Sequence, residues 1–169
     1  MRKSSFWLVY VLLLVAQLVL CNYANFTPYV CVTILPVMVL FLPIRVKPVG
    51  AMLIAFATGL CVDFLSDGLL GVNAIALIPV AFLRNYIIEL VFGRELFIRR
   101  EDFSVRLHGF SKVFVSTLIV TAIFLAIYVW VEAAGARSFQ FNLLRFIYSL
   151  AASMVVSILC FQSLAAHSA

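Results

Sequence analysis

Long apolar runs separated by short polar or proline-bearing breaks make up most of the chain. At 1.5 Å per helical residue and a hydrocarbon core of about 30 Å, they predict six spans: 6–22, 28–42, 49–65, 69–92, 113–131 and 141–164. The second differs from the rest. It is bounded by Pro28 and Pro43, interrupted by Pro36, and as a helix would reach only about 22 Å. Pro28 suits the first turn of a helix and Pro36 is expected to kink it. The segment therefore reads as either a short kinked helix or a re-entrant stretch. A polar stretch, 94–112, follows the fourth span, and a short loop, 132–140, follows the fifth.

From the third span into the turn beyond it, Ala51, Ala55, Gly59, Asp63 and Asp67 recur at four-residue steps. Such spacing holds residues on one stripe of a helix. The stripe predicts a ridge of small residues, where another backbone can approach closely, leading to two carboxylates at one end. The turn that follows carries Ser66, Asp67, Gly68, Gly71 and Asn73. A second ridge, Ser149, Ser153 and Ser157, recurs at the same step in the last span. Both ridges suit close helix packing, inside the bundle or against a partner.

Composition sharpens the membrane reading: 66% of residues are hydrophobic, 11% are charged, and the mean hydropathy is +1.18. Soluble domains carry about 25% charged residues, so the expectation is one integral membrane domain over 1–169, in contact with lipid, with no separate soluble part. The net charge of +5 falls mainly in the span-flanking segments. With the N-terminus inside, one side holds Arg2, Lys3, Arg45, Lys47, Arg94, Arg99, Arg100, Arg106 and Lys112, and the other only Arg137. The positive-inside rule then predicts six crossings with both termini cytoplasmic. Dropping 28–42 as a crossing would put the basic turns on opposite sides. The basic charge is thereby assigned to topology, and nucleic-acid binding is not expected. The first run, 6–22, resembles a signal peptide, but Asn22-Tyr23-Ala24 is a poor cleavage site, so an uncleaved helix is expected.

Chemistry is sparse. Cys21, Cys31, Cys61 and Cys160 lie in apolar runs without CxxC spacing, and His108 and His167 stand apart from other ligand types. No metal or cofactor is expected. Asp63 and Asp67 lie one turn apart on one helix, whereas an aspartyl dyad needs carboxylates converging from separate elements. No enzyme is expected. Arg84 and Arg145 lie within spans. By residue count Arg145 and Asp63 lie at similar depth, and an unpaired charge there is costly. The expectation is an Asp63–Arg145 pair, with Asp67 capping the turn into Gly71. The rival has Asp63 accepting hydrogen bonds from Asn73 or backbone amides while Arg145 reaches toward headgroups. Phe92, Leu96, Phe103, Leu107 and Phe110 mark a helical face across 94–112, which lies in the headgroup layer or is an ordinary charged loop.

Two stretches, Gly59-Leu60-Cys61-Val62-Asp63 and Leu70-Gly71-Val72-Asn73-Ala74, form a G-L-x-x-D … L-G-x-N-A signature. It resembles the MreD family of bacterial rod-shape-determining membrane proteins. Length, basic N-terminus, early proline-rich span and charged segment before the fifth span agree with that resemblance. It implies a multi-pass inner-membrane scaffold of the lateral-wall elongation complex, acting in cell shape determination and peptidoglycan synthesis. The implied partners are MreC and, through the complex, MreB, RodA and a penicillin-binding transpeptidase. Gly59, Asp63, Asp67, Gly71, Asn73 and Arg145 become structural or partner-interface candidates. The family is also similar in architecture to the substrate-binding subunits (S-components) of energy-coupling-factor vitamin transporters, which supplies the alternative function.

Overall fold

The computed structural model describes residues 3–23, 30–43, 46–66, 69–93, 110–134 and 136–167. They form six helices: α1 (Lys3–Tyr23), α2 (Leu35–Leu40), α3 (Pro48–Leu65), α4 (Val72–Phe92), α5 (Phe110–Ala133) and α6 (Phe139–His167). No strand occurs among the described residues. Four stretches, Pro48–Leu65, Val72–Phe92, Ser111–Ala133 and Phe139–Leu159, are long and apolar enough to cross a membrane. The apolar part of α1, Trp7–Tyr23, is slightly shorter. The all-helical build of the described residues, with four helices of spanning length, is consistent with a polytopic membrane protein.

Helices α3 to α6 pack in succession, α3 on α4, α4 on α5 and α5 on α6, while α1 packs against α3. Lipid tails are as apolar as leucine, so this packing rests on close contact and on internal polar bonds rather than on removal from water. One such bond joins α1 to α3: Tyr10 Oη and Thr58 Oγ1 are 2.8 Å apart and buried.

The expected span 28–42 is not a single kinked helix. Residues 30–34 form no regular secondary structure, Ile34 already having helical dihedrals, and α2 has only six residues, about 9 Å of helix. Pro36 lies in the first turn of α2, where its missing N–H breaks no bond, instead of kinking a longer helix. Before it come Val30, Val32, Thr33 and Ile34, whose branched side chains favour extended backbone. All six residues of α2 are buried, and the helix packs against α1, α3, α4 and α5. A helix apolar on every side has no face to present to water and belongs at the centre. The shortest element is the core of the bundle.

Non-helical backbone inside a membrane bundle must find partners outside itself. Cys31 N–H donates to Ser149 Oγ at 2.9 Å and Thr33 N–H to Ser153 Oγ at 3.1 Å. From the other side, Gln17 Oε1 of α1 accepts Ile34 N–H at 2.6 Å. The spacing matches: two residues of non-helical chain separate the two amides, and one helical turn, about 5.4 Å, separates the two serines. Alternate amides of the segment therefore meet successive serines of α6, and the segment runs in the same direction as that helix. At its far end Arg84 of α4 takes over, donating from Nε to Leu40 O at 3.1 Å and from Nη2 to Leu42 O. Arg84 is fully buried.

Candidate functional site

The turn between α3 and α4 brings the signature residues together. Asp63, in the last turn of α3, is 2% exposed and accepts four hydrogen bonds. Oδ2 receives Gly71 N–H at 2.9 Å and Ala74 N–H at 3.3 Å. Oδ1 receives Asn73 N–H at 3.3 Å and the Asn73 side-chain amide at 2.7 Å. The first amides of a helix have no intrahelical acceptor, and negative charge is favoured there. Asp63 thus caps the neighbouring helix from across the turn. Gly71, the residue before α4, has φ 91°, a conformation that glycine adopts without a Cβ penalty.

Gly59 makes the closure possible. A Cβ at this position would lie 2.6 Å from both Cα and N of Ala74 and 2.9 Å from the Asn73 carbonyl carbon. The start of α4 rests directly on the Gly59 backbone. The predicted ridge is real and faces inward: Ala51, Ala55, Gly59 and Asp63 are all buried. Asp67 lies outside the described residues, as do residues 94–109, which include most of the polar 94–112 stretch.

The expected Asp63–Arg145 pair does not form. Nη1 of Arg145 donates to Glu132 Oε1 at 3.0 Å, and Nη2 lies 2.8 Å from Glu132 Oε2, tying α6 to the end of α5. Similar depth is not adjacency, because α4 and α5 stand between α3 and α6 in the packing order. The local acceptor geometry, amides one turn of chain away, wins Asp63, and Arg145 finds the carboxylate on the helix it packs against. Arg137, in the α5–α6 connection, lies 3.8 Å from the same Glu132 and over the Phe141 ring.

Residue reasoning missed two groups that the structure makes central. Arg84 was read only as a cation inside a span, yet it holds the end of the central segment. The signal was the pair of prolines, Pro36 and Pro43, which limit α2 and leave carbonyls without helical donors. The serine ridge was read as close helix packing. Ser149 and Ser153 instead accept from the non-helical backbone of Cys31 and Thr33, while Ser157 donates to Ser153 O within its own helix at 2.6 Å.

The chemistry of this arrangement is to close and orient helices. Among the described residues no group of three His, Cys, Asp or Glu side chains converges to hold a metal. An open apolar groove on α3, lined by Ala57, Leu60, Cys61 and Phe64, faces away from the clamp. No family model, no curated protein and no solved structure matches the chain, so the reading of the site rests on its own geometry.

Proposed function

We propose that this chain is a non-enzymatic membrane scaffold of the bacterial cell-wall elongation complex, of the MreD kind, residing in the inner membrane. In this reading it crosses the membrane six times with both termini cytoplasmic. The central segment 30–42, part irregular and part helical, is the second crossing. Its direction along α6 and its contact with Arg84 deep in α4 support that count, as does the concentration of basic residues on one side.

One observation carries the scaffold reading. The residues of the G-L-x-x-D … L-G-x-N-A signature that stand out chemically, Gly59, Asp63, Gly71 and Asn73, lock one helical hairpin to itself. A site that orders two helices so firmly presents a rigid outer surface of α3 and α4 to a neighbour. The partner in this reading is MreC and, through it, MreB, RodA and a penicillin-binding transpeptidase.

The test is depletion of the chain in its rod-shaped host, with tagged protein used to recover MreC. Rounded cells and co-purification of MreC are the expected results, and Gly59→Leu should abolish both. Normal shape combined with a requirement for added vitamin would replace this reading with the transporter S-component.

A further inference from the structure

We propose that the connected ends of α5 and α6 form a binding site for the headgroup of an anionic phospholipid, with Arg137 as its main contact. The proposal does not depend on the scaffold reading. It begins from a charge imbalance. Among the described residues two guanidinium groups, Arg137 and Arg145, face a single carboxylate, Glu132. Arg145 engages both carboxylate oxygens, at 3.0 and 2.8 Å. Arg137 is left at 3.8 Å with its side chain 38% exposed. One positive charge of the cluster is therefore uncompensated.

Three buried polar atoms here lack hydrogen-bond partners: Glu132 Oε2, which has only its ionic contact with Arg145, and one atom each of Arg145 and Asn142. Arg145, 7% exposed, has no acceptor for Nε, and Asn142, 5% exposed, has no donor for Oδ1. They lie three residues apart on α6, hence on one face of the helix. A half-turn of the Asn142 amide would present its N–H groups instead. The cluster then offers guanidinium and amide donors to one anionic oxygen acceptor.

The location selects the source of that acceptor. The cluster is at the ends of two helices of membrane-spanning length, where lipid phosphates lie. Trp130 is edge-on to two phenylalanines one turn away, and Phe141 carries the Arg137 guanidinium on its ring face. Aromatic side chains of this kind are enriched at headgroup level. Arg137 is also the one basic residue in a loop on its side of the predicted topology. A topology signal would place it elsewhere, so another use fits it better.

The test titrates the purified full chain in detergent with phosphatidylglycerol or phosphatidylcholine, reading bound lipid by native mass spectrometry. The basic segments at the other end also attract anionic lipid, so the comparison of variants isolates this site. One basic residue near a headgroup is worth about a fivefold change in affinity. Arg137→Gln should weaken the tightest phosphatidylglycerol binding by about that factor, and Arg137→Lys should retain most of it. Arg137 is exposed, so both variants should melt as the native chain does. Unchanged phosphatidylglycerol binding by Arg137→Gln overturns the proposal. So does an equal loss in phosphatidylcholine binding, which would show no selectivity for anionic charge. Displacement of the lipid by inorganic phosphate at matched concentration would assign the site to a soluble anion and overturn the lipid source.

Discussion

Replacing Gly59 by alanine tests whether the hairpin closure is as tight as its geometry indicates. The new methyl would meet Ala74 Cα and N at 2.6 Å, where ordinary contact begins at 3.4 Å. These are main-chain atoms of a helix and cannot rotate aside. The start of α4 must retreat by roughly 0.8 Å, and overpacking of this kind costs about 1–3 kcal/mol. Two clamp bonds, from Asn73 N–H and Ala74 N–H to Asp63, are already 3.3 Å long. The same retreat would carry them beyond hydrogen-bond range, at about 1 kcal/mol each. Against this, alanine in place of glycine in a helix gains about 1 kcal/mol. The balance is a loss of about 2–4 kcal/mol.

Gly50→Ala is the matched control, also in α3. Its Cβ would meet only Val46 Cγ1, at 3.2 Å, the end of a side chain that can turn. It should be neutral or stabilising by up to about 1 kcal/mol. Both variants are measured by reversible unfolding of the purified chain in mixed detergent micelles. If Gly59→Ala is as stable as the native chain, α4 does not rest on Gly59. If Gly50→Ala falls equally, the effect is not one of close approach.

Other substitutions probe the central segment and the ion pair. Ser149→Ala and Ser153→Ala should each cost about 1–3 kcal/mol in the same unfolding assay, by orphaning Cys31 N–H and Thr33 N–H. Ser157→Ala, whose hydroxyl bonds only within α6, should cost less than about 0.5 kcal/mol. Arg84→Met leaves two buried carbonyls without donors and should cost about 2–4 kcal/mol, part of which is returned by removing a buried charge. Arg84→Lys should not restore it, because one ammonium cannot span Leu40 O and Leu42 O as the guanidinium fork does. Glu132→Arg and Arg145→Glu should each lower folded yield, and the double exchange should recover part of it. The losses from Asp63→Arg and Arg145→Asp should simply add.

The parts of this fold that were legible in the sequence are those governed by neighbours along the chain. The third to sixth spans are visible because apolar length is a local property, and their limits shift by only a few residues. Gly71 delays α4 to Val72 where the apolar run suggested residue 69, since its left-handed backbone stands just before the helix. The inward ridge Ala51, Ala55, Gly59 is visible because four-residue spacing is helical geometry. Gly59 and Ala74 are close because the connection joining their helices is short. Legibility fails where a choice among distant partners decides. Asp63 and Arg145 match in sign and depth, but packing order, absent from any local pattern, puts Glu132 nearer to Arg145. Arg84 likewise has no acid at helical spacing to announce its role, because its acceptors are main-chain carbonyls some forty residues away.

The central segment follows from the same physics. A helix satisfies its own backbone, so any partner contact is additional. Irregular backbone in an apolar setting cannot do so, and each amide needs an acceptor from elsewhere. Residues 31, 33 and 34 take theirs from α6 and α1, and residues 40 and 42 give their carbonyls to α4. Three helices that do not all touch one another are therefore held in register by one central segment, part irregular and part short helix. Movement of α1, α4 or α6 must strain bonds at one end of that segment or the other. Polar residues are few here, and the buried Gln17, Arg84, Ser149 and Ser153 are concentrated on a segment that a regular helix would have made self-sufficient. The proline at position 36 sets that arrangement by restricting where α2 can begin. Moving proline back to the helix interior would require rebuilding every acceptor around it.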